Sequence, residues 1–168
     1  MKKLRIARQP KAFTIIEVVI VLAIAGLIMT MVLIAVRAAS SSRRDTKRIQ
    51  DVGTLATALE QFAQNDNGSF PVAGTDITYT GSSLNTASNF CSQNYLNCSS
   101  FNDPSSGSAY TFTTSGANAS FPASPLASAP ALSCSSANVG LIQVIYTSTR
   151  LYNIQMCLER GPYTYVPQ

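Results

Sequence analysis

An apolar run over residues 13–36 constrains this chain more than any other feature of its sequence. The run reads FTIIEVVIVLAIAGLIMTMVLIAV, contains no proline and has one charged residue, Glu17. At ~1.5 Å per residue a helix of this length extends roughly 36 Å, which is enough to cross a hydrocarbon core ~30 Å thick. The run therefore predicts a single membrane-spanning helix near the N-terminus, ahead of a folded head.

Basic residues lie on both sides of the apolar run, so the positive-inside rule does not orient it. The cations are Lys2, Lys3, Arg5, Arg8 and Lys11 before the run and Arg37, Arg43, Arg44, Lys47 and Arg48 after it. A basic stretch before an apolar run also occurs in secretory signal peptides, where a cleavage site between small residues follows. Ala38 and Ala39 are the nearest candidates, and a conventional signal peptide cut there stays open as an alternative.

The composition argues against an enzyme. The chain has no His, the commonest general base and a frequent metal ligand, so Ser-His-Asp and Cys-His catalysis are excluded. We expect no catalytic residues, no metal and no cofactor.

The four cysteines lack the paired spacing of structural zinc sites. In an exported head, disulfides fit them better. Three connectivities are possible, and we favour Cys91 with Cys98 and Cys134 with Cys157, because each pair closes a loop between sequence neighbours. Four reduced thiols remain the alternative.

Glu17 requires an explanation, because a carboxylate at the centre of a bilayer costs about 2.5–3.5 kcal/mol. Its position near the start of the run would allow it to reach headgroup water. A functional alternative is a partner charge that appears only on assembly. If the chain is cut before Phe13, a new α-amino cation arises four residues away, and it could pair with Glu17 of a neighbouring copy.

The sequence from Lys11 to Glu17, KAFTIIE, followed by VVIVLAIAGLI, resembles the class III signal of type IV prepilins and of type II secretion pseudopilins. The resemblance implies that a membrane prepilin peptidase cuts between Ala12 and Phe13 and that Phe13 is then N-methylated. It also implies that Glu17 is the assembly glutamate and that Gly26 marks a position where the helix weakens in the filament. Family members usually have Gly before the cut, where this chain has Ala12.

The helix is predicted to continue beyond the apolar run to about Gln64. Apolar residues recur at three- and four-residue steps, at Ile49, Val52, Leu55, Ala56, Leu59, Phe62 and Ala63. This stripe would pack on a sheet, with Arg48, Asp51 and Glu60 elsewhere on the surface. Residues 65–68, NDNG, and then Pro71 predict the helix end. The passage RDTKRIQDVGTLATALEQFAQNDNGSFP also resembles the stem-to-head region of pilins and major pseudopilins.

These features predict an α+β fold of the type IV pilin kind, a long N-terminal helix packed on a small antiparallel sheet. The expected parts are a cleaved leader (1–12), a transmembrane or filament-core helix (13–36), its amphipathic continuation (37–64) and the head (65–168). Residues 139–147 and 151–158 are β-branched and aromatic, which predicts a hairpin. A second strand pair is expected between 77–80 and 110–113.

Two weaker signals concern ligands. The basic residues Arg43, Arg44, Lys47 and Arg48 could bind DNA or lipid phosphate, but we expect them to form a solvated face or to pair between subunits. Asp66, Asp76 and Asp103 lack the spacing of a calcium loop and are expected to be ordinary turn residues. The chain has sequons at Asn67, Asn97 and Asn118.

The resemblance implies a structural subunit of a type IV pilus. Its partners would be other pilin subunits, the prepilin peptidase, the assembly platform in the membrane and, before assembly, membrane lipid. The protein would begin as a single-pass protein of the cytoplasmic membrane, with its head outside the cytoplasm, and end in an extracellular pilus. A type II secretion pseudopilin, or a minor or tip pilin acting in adhesion or DNA uptake, is the alternative.

Overall fold

The computed structural model describes residues 13–113, 119–122, 124–126, 131–148 and 151–167. The chain divides into two compact units, Met1–Ser40 and Ser41–Gln168. The first contains the apolar run. The second is the head, and it contains all the strands that the structure describes.

Helix α1 extends over Ile15–Asn65. Thr14 precedes its first turn, and the carbonyl oxygen of Thr14 accepts a hydrogen bond from the Glu17 N–H at 3.2 Å. At the other end, the Gly68 N–H donates to the Ala63 carbonyl at 2.7 Å, and Asn67 and Gly68 adopt positive φ angles of 52° and 87°. This left-handed pair closes the helix, as the sequence NDNG predicts.

The head contains a sheet of four strands in the order β3-β4-β5-β6. The strands are β3 (Thr111–Phe112), β4 (Leu141–Ser148), β5 (Leu151–Leu158) and β6 (Gly161–Tyr165). Strands β4 and β5 pair antiparallel, as do β5 and β6, whereas β3 pairs parallel to β4. The shorter elements are β1 (Tyr79–Thr80), β2 (Ser83–Leu84) and helix α2 (Asn89–Ser92), and β1 and β2 form a small antiparallel pair of their own.

The predicted hairpin is confirmed, and the predicted second pair is wrong. Residues 77–80 do not pair with 110–113. Instead β1 turns back through Gly81, whose φ is +66°, and pairs with the adjacent β2. A tight local turn forms at lower entropic cost than a distant pairing. Strand β3 pairs with β4, so the sheet is mixed rather than purely antiparallel. Strand β6, which begins with Gly161 and Pro162, was not predicted.

The core of the head lies between the second half of α1 and the sheet. The helix buries Val52, Leu55, Ala56, Ala58, Leu59 and Phe62. The sheet contributes side chains that are fully or almost fully buried, among them Ile142, Val144, Tyr152, Ile154 and Met156. The buried Tyr152 hydroxyl shares its one proton between Glu60 Oε1 at 2.9 Å and the Ala56 carbonyl at 3.3 Å, so its polar atom has partners on α1. The α+β architecture predicted from the sequence is therefore confirmed.

Both predicted disulfides are present. Cys91–Cys98 closes a short loop that begins in α2, with its Cα atoms 5.7 Å apart. Cys134–Cys157 joins the segment before β4 to β5, with a Cα separation of 5.3 Å. Closing a loop of this second length is worth roughly 3 kcal/mol of chain entropy in the unfolded state. The alternative of four reduced thiols is wrong.

Candidate functional site

The first unit exposes its apolar helix on all sides. In the part of this unit that the structure describes, every residue from Phe13 to Ala39 is exposed. The exposed fraction is 81% for Phe13 and 72% for Ile34. Helix α1 is the one described helix that is long and apolar enough to cross a membrane. So large an apolar surface requires a lipid or protein environment.

Glu17 is the one acidic residue in the first turn of this helix. Its side chain is exposed, and its own N–H donates to the Thr14 hydroxyl at 3.4 Å. Phe13 lies just before the helix begins at Ile15, so two of the three predicted assembly residues, Phe13 and Glu17, are at the same end of α1. Ala12, on the other side of the predicted cut, lies outside the described residues.

Gly26 lies within α1, which continues through it without interruption. A Cβ atom at this position would meet nothing within 4 Å. No steric contact within the chain therefore requires glycine here, and its intrinsic effect is to weaken the helix by about 1 kcal/mol relative to alanine.

The second unit contains an ionic cluster, formed by Arg44, Asp45, Arg48, Asp103 and Glu159, at the proximal end of the head. Arg48 lies at its centre and is completely buried. The Arg48 Nε and Nη2 atoms donate to the two carboxylate oxygens of Asp103 at 2.7 and 3.0 Å, a bidentate pair. Nη1 donates to Asp45 at 3.0 Å and to Glu159 at 3.2 Å. One guanidinium thus joins α1 to the loop at Asp103 and to the turn between β5 and β6.

The carboxylates of the cluster have further donors. Asp45 accepts a hydrogen bond from the Glu159 N–H at 3.0 Å and from Arg160 Nε at 3.2 Å. Arg44 donates to both oxygens of Glu159, at 2.6 and 2.9 Å. An unpaired charge inside a protein is very costly in free energy. These contacts give each buried charge of the cluster a partner of opposite sign.

Gly140 adjoins the cluster and needs to be glycine. Its φ is +83°, and a Cβ atom placed on it would lie 2.5 Å from Asp103 Oδ2. That oxygen is the one that accepts from Arg48 Nε. A larger residue at 140 would therefore displace the carboxylate that Arg48 binds.

The ionic cluster shifts the pKa values of its members. Burial alone would lower the pKa of Arg48, but hydrogen bonds to Asp103 and Glu159 raise it above its ordinary value. Burial alone would raise the pKa of Asp103, but its hydrogen bonds with the Arg48 guanidinium outweigh burial. The pKa of Asp103 is therefore lowered below its ordinary value. The hydrogen bond from Arg44 lowers the pKa of Glu159. All three groups are therefore charged at neutral pH.

Asp51 continues this polar stretch of α1 by one turn. Its carboxylate forms an ion pair with Lys47 and accepts a hydrogen bond from the Tyr110 hydroxyl at 2.8 Å. Burial and this contact with Asp51 raise the pKa of Tyr110. The tyrosine therefore stays neutral and acts as a donor.

The prediction that Arg48 and Asp51 lie on the surface is wrong, since both are buried. The expectation of a solvated basic face also fails for Arg48. The helical periodicity of the sequence did indicate that Asp45 and Arg48 are buried. The buried positions follow one another at alternating steps of three and four, at Asp45, Arg48, Val52, Leu55, Leu59 and Phe62. The two charged residues continue the buried stripe towards the N-terminus. Their partners lie too far along the sequence to be recognised from it.

Asp76 and Asp103, two of the three aspartates expected to be ordinary turn residues, have different partners. Asp103 belongs to the ionic cluster, whereas Asp76 accepts a hydrogen bond from the Val72 N–H at 3.0 Å. Within the described ranges, no three His, Cys, Asp or Glu side chains are grouped so that they could hold a metal ion. The sequon at Asn118 lies outside those ranges.

Comparison with known families gives one match. The family model for the prokaryotic N-terminal methylation motif matches residues 8–33, the region that contains Phe13, Glu17 and Gly26. This motif supports a prepilin-like chain, and the exposed apolar helix that follows it fits a membrane-anchored precursor. The α+β head and its two disulfides agree with a type IV pilin-like or pseudopilin-like prepilin, which is a structural class of protein. No curated protein and no solved structure matches the chain.

Proposed function

We propose that the mature chain is a structural subunit of a type IV pilus, in which its apolar helix packs against those of identical copies. The observation that carries this proposal is the exposure of α1 up to Ala39, with Glu17 as its charged residue in the first turn. Lipid covers such a surface before assembly. In a fibre, the same surface would form the filament core and the heads would form the outside.

Processing at the junction of Ala12 and Phe13 is the first step of the proposal. The methylation motif spans this junction. Cleavage there removes the basic leader and creates an α-amino group at Phe13. The class III signal implies that a prepilin peptidase performs this step, and the N-methylated Phe13 would then be the mature N-terminus.

Glu17 would set the register between subunits. The amine of Phe13 and the carboxylate of Glu17 are four residues apart, so two copies offset along the helix axis can pair the amine of one with the carboxylate of the next. At ~1.5 Å per residue the offset is roughly 6 Å. Any other offset would leave a charge unpaired in an apolar environment, which is strongly unfavourable.

The mass of the mature N-terminal peptide tests the processing step. We expect a peptide that begins with monomethylated Phe13. An intact Met1, or a start after Ala39 as in a conventional signal peptide, would overturn the proposal.

Electron microscopy of cells with and without the chain tests the fibre. We expect long surface fibres in the wild type, their loss on deletion, and at least a tenfold reduction in Glu17→Gln, because a charge pair in an apolar environment has lost one partner. The matched control is Asp66→Asn, which removes an exposed carboxylate from the head instead. It should leave the fibres unchanged.

Two outcomes would redirect the proposal. If long surface fibres persist without the chain, while secretion of proteins fails, the chain is a pseudopilin. If sheared fibres contain only trace amounts of the chain beside another pilin, it is a minor or tip subunit. A stoichiometric count of subunits in sheared fibres separates the second outcome from a major pilin.

A further inference from the structure

Arg43 is exposed near the start of the part of α1 that belongs to the head, which we call the proximal part. It has no hydrogen-bond or ion-pair partner among the described residues. The other described arginines of the second unit differ from it. Arg44 binds Glu159, Arg48 is buried among carboxylates, and Arg160 binds Asp45. Arg43 is therefore available to a partner outside the chain.

An open groove lies at the distal end of the same head. It has a volume of about 540 Å³ and is lined by Glu60, Gln64, Asn67, Phe70, Leu151 and Pro167. Leu151 is 53% exposed, and it and Val166 are the large apolar residues exposed in the described part of the head. We call this feature the distal groove.

The chemistry of the distal groove suits an arginine side chain. A guanidinium donates hydrogen bonds to carboxylate and amide oxygens through its edge and packs its flat faces on apolar or aromatic groups. Glu60 offers the carboxylate, since its Oε1 accepts one hydrogen bond, from the Tyr152 hydroxyl at 2.9 Å, and a carboxylate can accept several. Gln64 offers an amide, while Leu151 and Phe70 offer apolar surface.

Arg43 cannot reach the distal groove of its own chain. Residues 43 and 60 lie on one continuous helix, and at ~1.5 Å per residue they are roughly 26 Å apart along its axis. In a fibre of parallel copies, two copies whose offset along that axis adds up to roughly 26 Å, over several steps of the ~6 Å register, would bring the proximal part of one head beside the distal part of the other. The charges at the two positions are complementary.

We propose that the distal groove binds Arg43 of a second copy of this chain, and that this contact fixes neighbouring heads on the fibre surface. The inference rests on the proposed filament function. It adds a contact between heads to the packing of the apolar helices.

Charge exchange tests the contact. Arg43→Glu and Glu60→Lys should each reduce the yield of sheared fibre about tenfold, because each places like charges opposite one another. The double variant Arg43→Glu/Glu60→Lys restores the pair in reverse and should recover most of the yield. Gln50→Glu is the matched control, because it adds negative charge at another exposed position of α1 and should leave the yield unchanged.

The outcomes separate this inference from the function on which it rests. If deletion of the chain leaves the fibres in place, the proposed function fails. If wild-type fibres depend on the chain but either single variant assembles normally, the inference fails. A defect in Arg43→Glu that Glu60→Lys does not rescue, as expected if Arg43 binds lipid phosphate, overturns it as well.

Cross-linking provides a second measurement that does not depend on yield. All four native cysteines form disulfides, so a cysteine at 43 and another at 60 can be introduced without competing thiols. Oxidised fibres of Arg43→Cys/Glu60→Cys should give a ladder of covalent multimers. The control pair Gln50→Cys/Glu60→Cys should remain monomeric, and an equal ladder from the control would overturn the inference.

Discussion

Two stretches of α1 hold the head in contrasting ways. The ionic stretch, residues 45–51, uses Asp45, Arg48 and Asp51, whereas the apolar stretch, residues 52–62, uses aliphatic and aromatic side chains. Burial of a large aliphatic side chain stabilises by roughly 1.5–3 kcal/mol. A buried ion pair gains little net free energy, because desolvation offsets the attraction, but loss of one partner is expensive. The apolar stretch therefore supplies stability, and the ionic stretch specifies which loops the helix meets.

The largest effect should come from removing the centre of the ionic stretch. Arg48→Met leaves the carboxylates of Asp45, Asp103 and Glu159 without their shared cation, and we expect the free energy of unfolding to fall by about 4 kcal/mol. Denaturant unfolding of the full chain in detergent, with its disulfides intact, measures this change. Arg43→Met is the control and should change stability by less than about 0.5 kcal/mol. Equal losses in the two variants would contradict the contrast.

Creating a cavity in the apolar stretch should lower the free energy of unfolding slightly less than Arg48→Met does. Leu59 is fully buried, and Leu59→Ala should lower the free energy of unfolding by about 3 kcal/mol. Thr57→Ala, at an exposed position two residues before Leu59, should leave the free energy of unfolding nearly unchanged. The same denaturant experiment applies, and a neutral Leu59→Ala would show that the apolar stretch is not the main source of stability.

Two glycines in the head should respond to alanine with opposite signs. Gly140→Ala should destabilise by about 2 kcal/mol, because it combines a left-handed φ with a clash against the Asp103 carboxylate. Gly53→Ala should stabilise by about 0.5–1 kcal/mol, because Gly53 is helical and its Cβ would meet nothing within 4 Å. Thermal melting of both variants checks this, and a stable Gly140→Ala would refute the crowding of Asp103.

The smallest effect should be a loss of stability at acidic pH that arises from the ionic cluster. The pKa values of Asp103 and Glu159 are lowered in the folded state. Their contribution to stability is complete above the ordinary carboxyl pKa of about 4 and is lost as the pH falls through the lower folded-state pKa. Unfolding midpoints measured between pH 7 and pH 3 should decline for the wild type and for Leu59→Ala. Arg48→Met should decline less, and parallel curves for all three proteins would be inconsistent with this origin.

Sequence patterns predicted the parts of this fold that depend on near neighbours. The helix end at Asn67 and Gly68, the β4–β5 hairpin and the two disulfides all follow from local composition and short spacing. The exposed segment around Phe13 and Glu17 follows from its motif. These features need no knowledge of distant residues.

The missed features depend on distant residues. Arg48 is buried only because Asp103 and Glu159, 55 and 111 residues further along the chain, meet its guanidinium. The parallel pairing of β3 with β4 likewise joins Thr111 to Leu141. Side-chain chemistry alone places an arginine in water, and only the assembled tertiary structure reverses that preference.

The span between Arg48 and Glu159 has a consequence for the order in which the head forms. Contacts between residues far apart in sequence form slowly, because a long loop must close before they contribute. Translation releases Arg48 long before Glu159, so the emerging helix must wait in an incomplete state until the β5–β6 turn has followed it. In a head interrupted before that turn, Arg48 would still have Asp45 and Asp103 as partners, but its contact with Glu159 and the contacts that Arg44 and Asp45 make with the turn would be missing. The ionic cluster is therefore completed only when the last turn of the sheet has been translated.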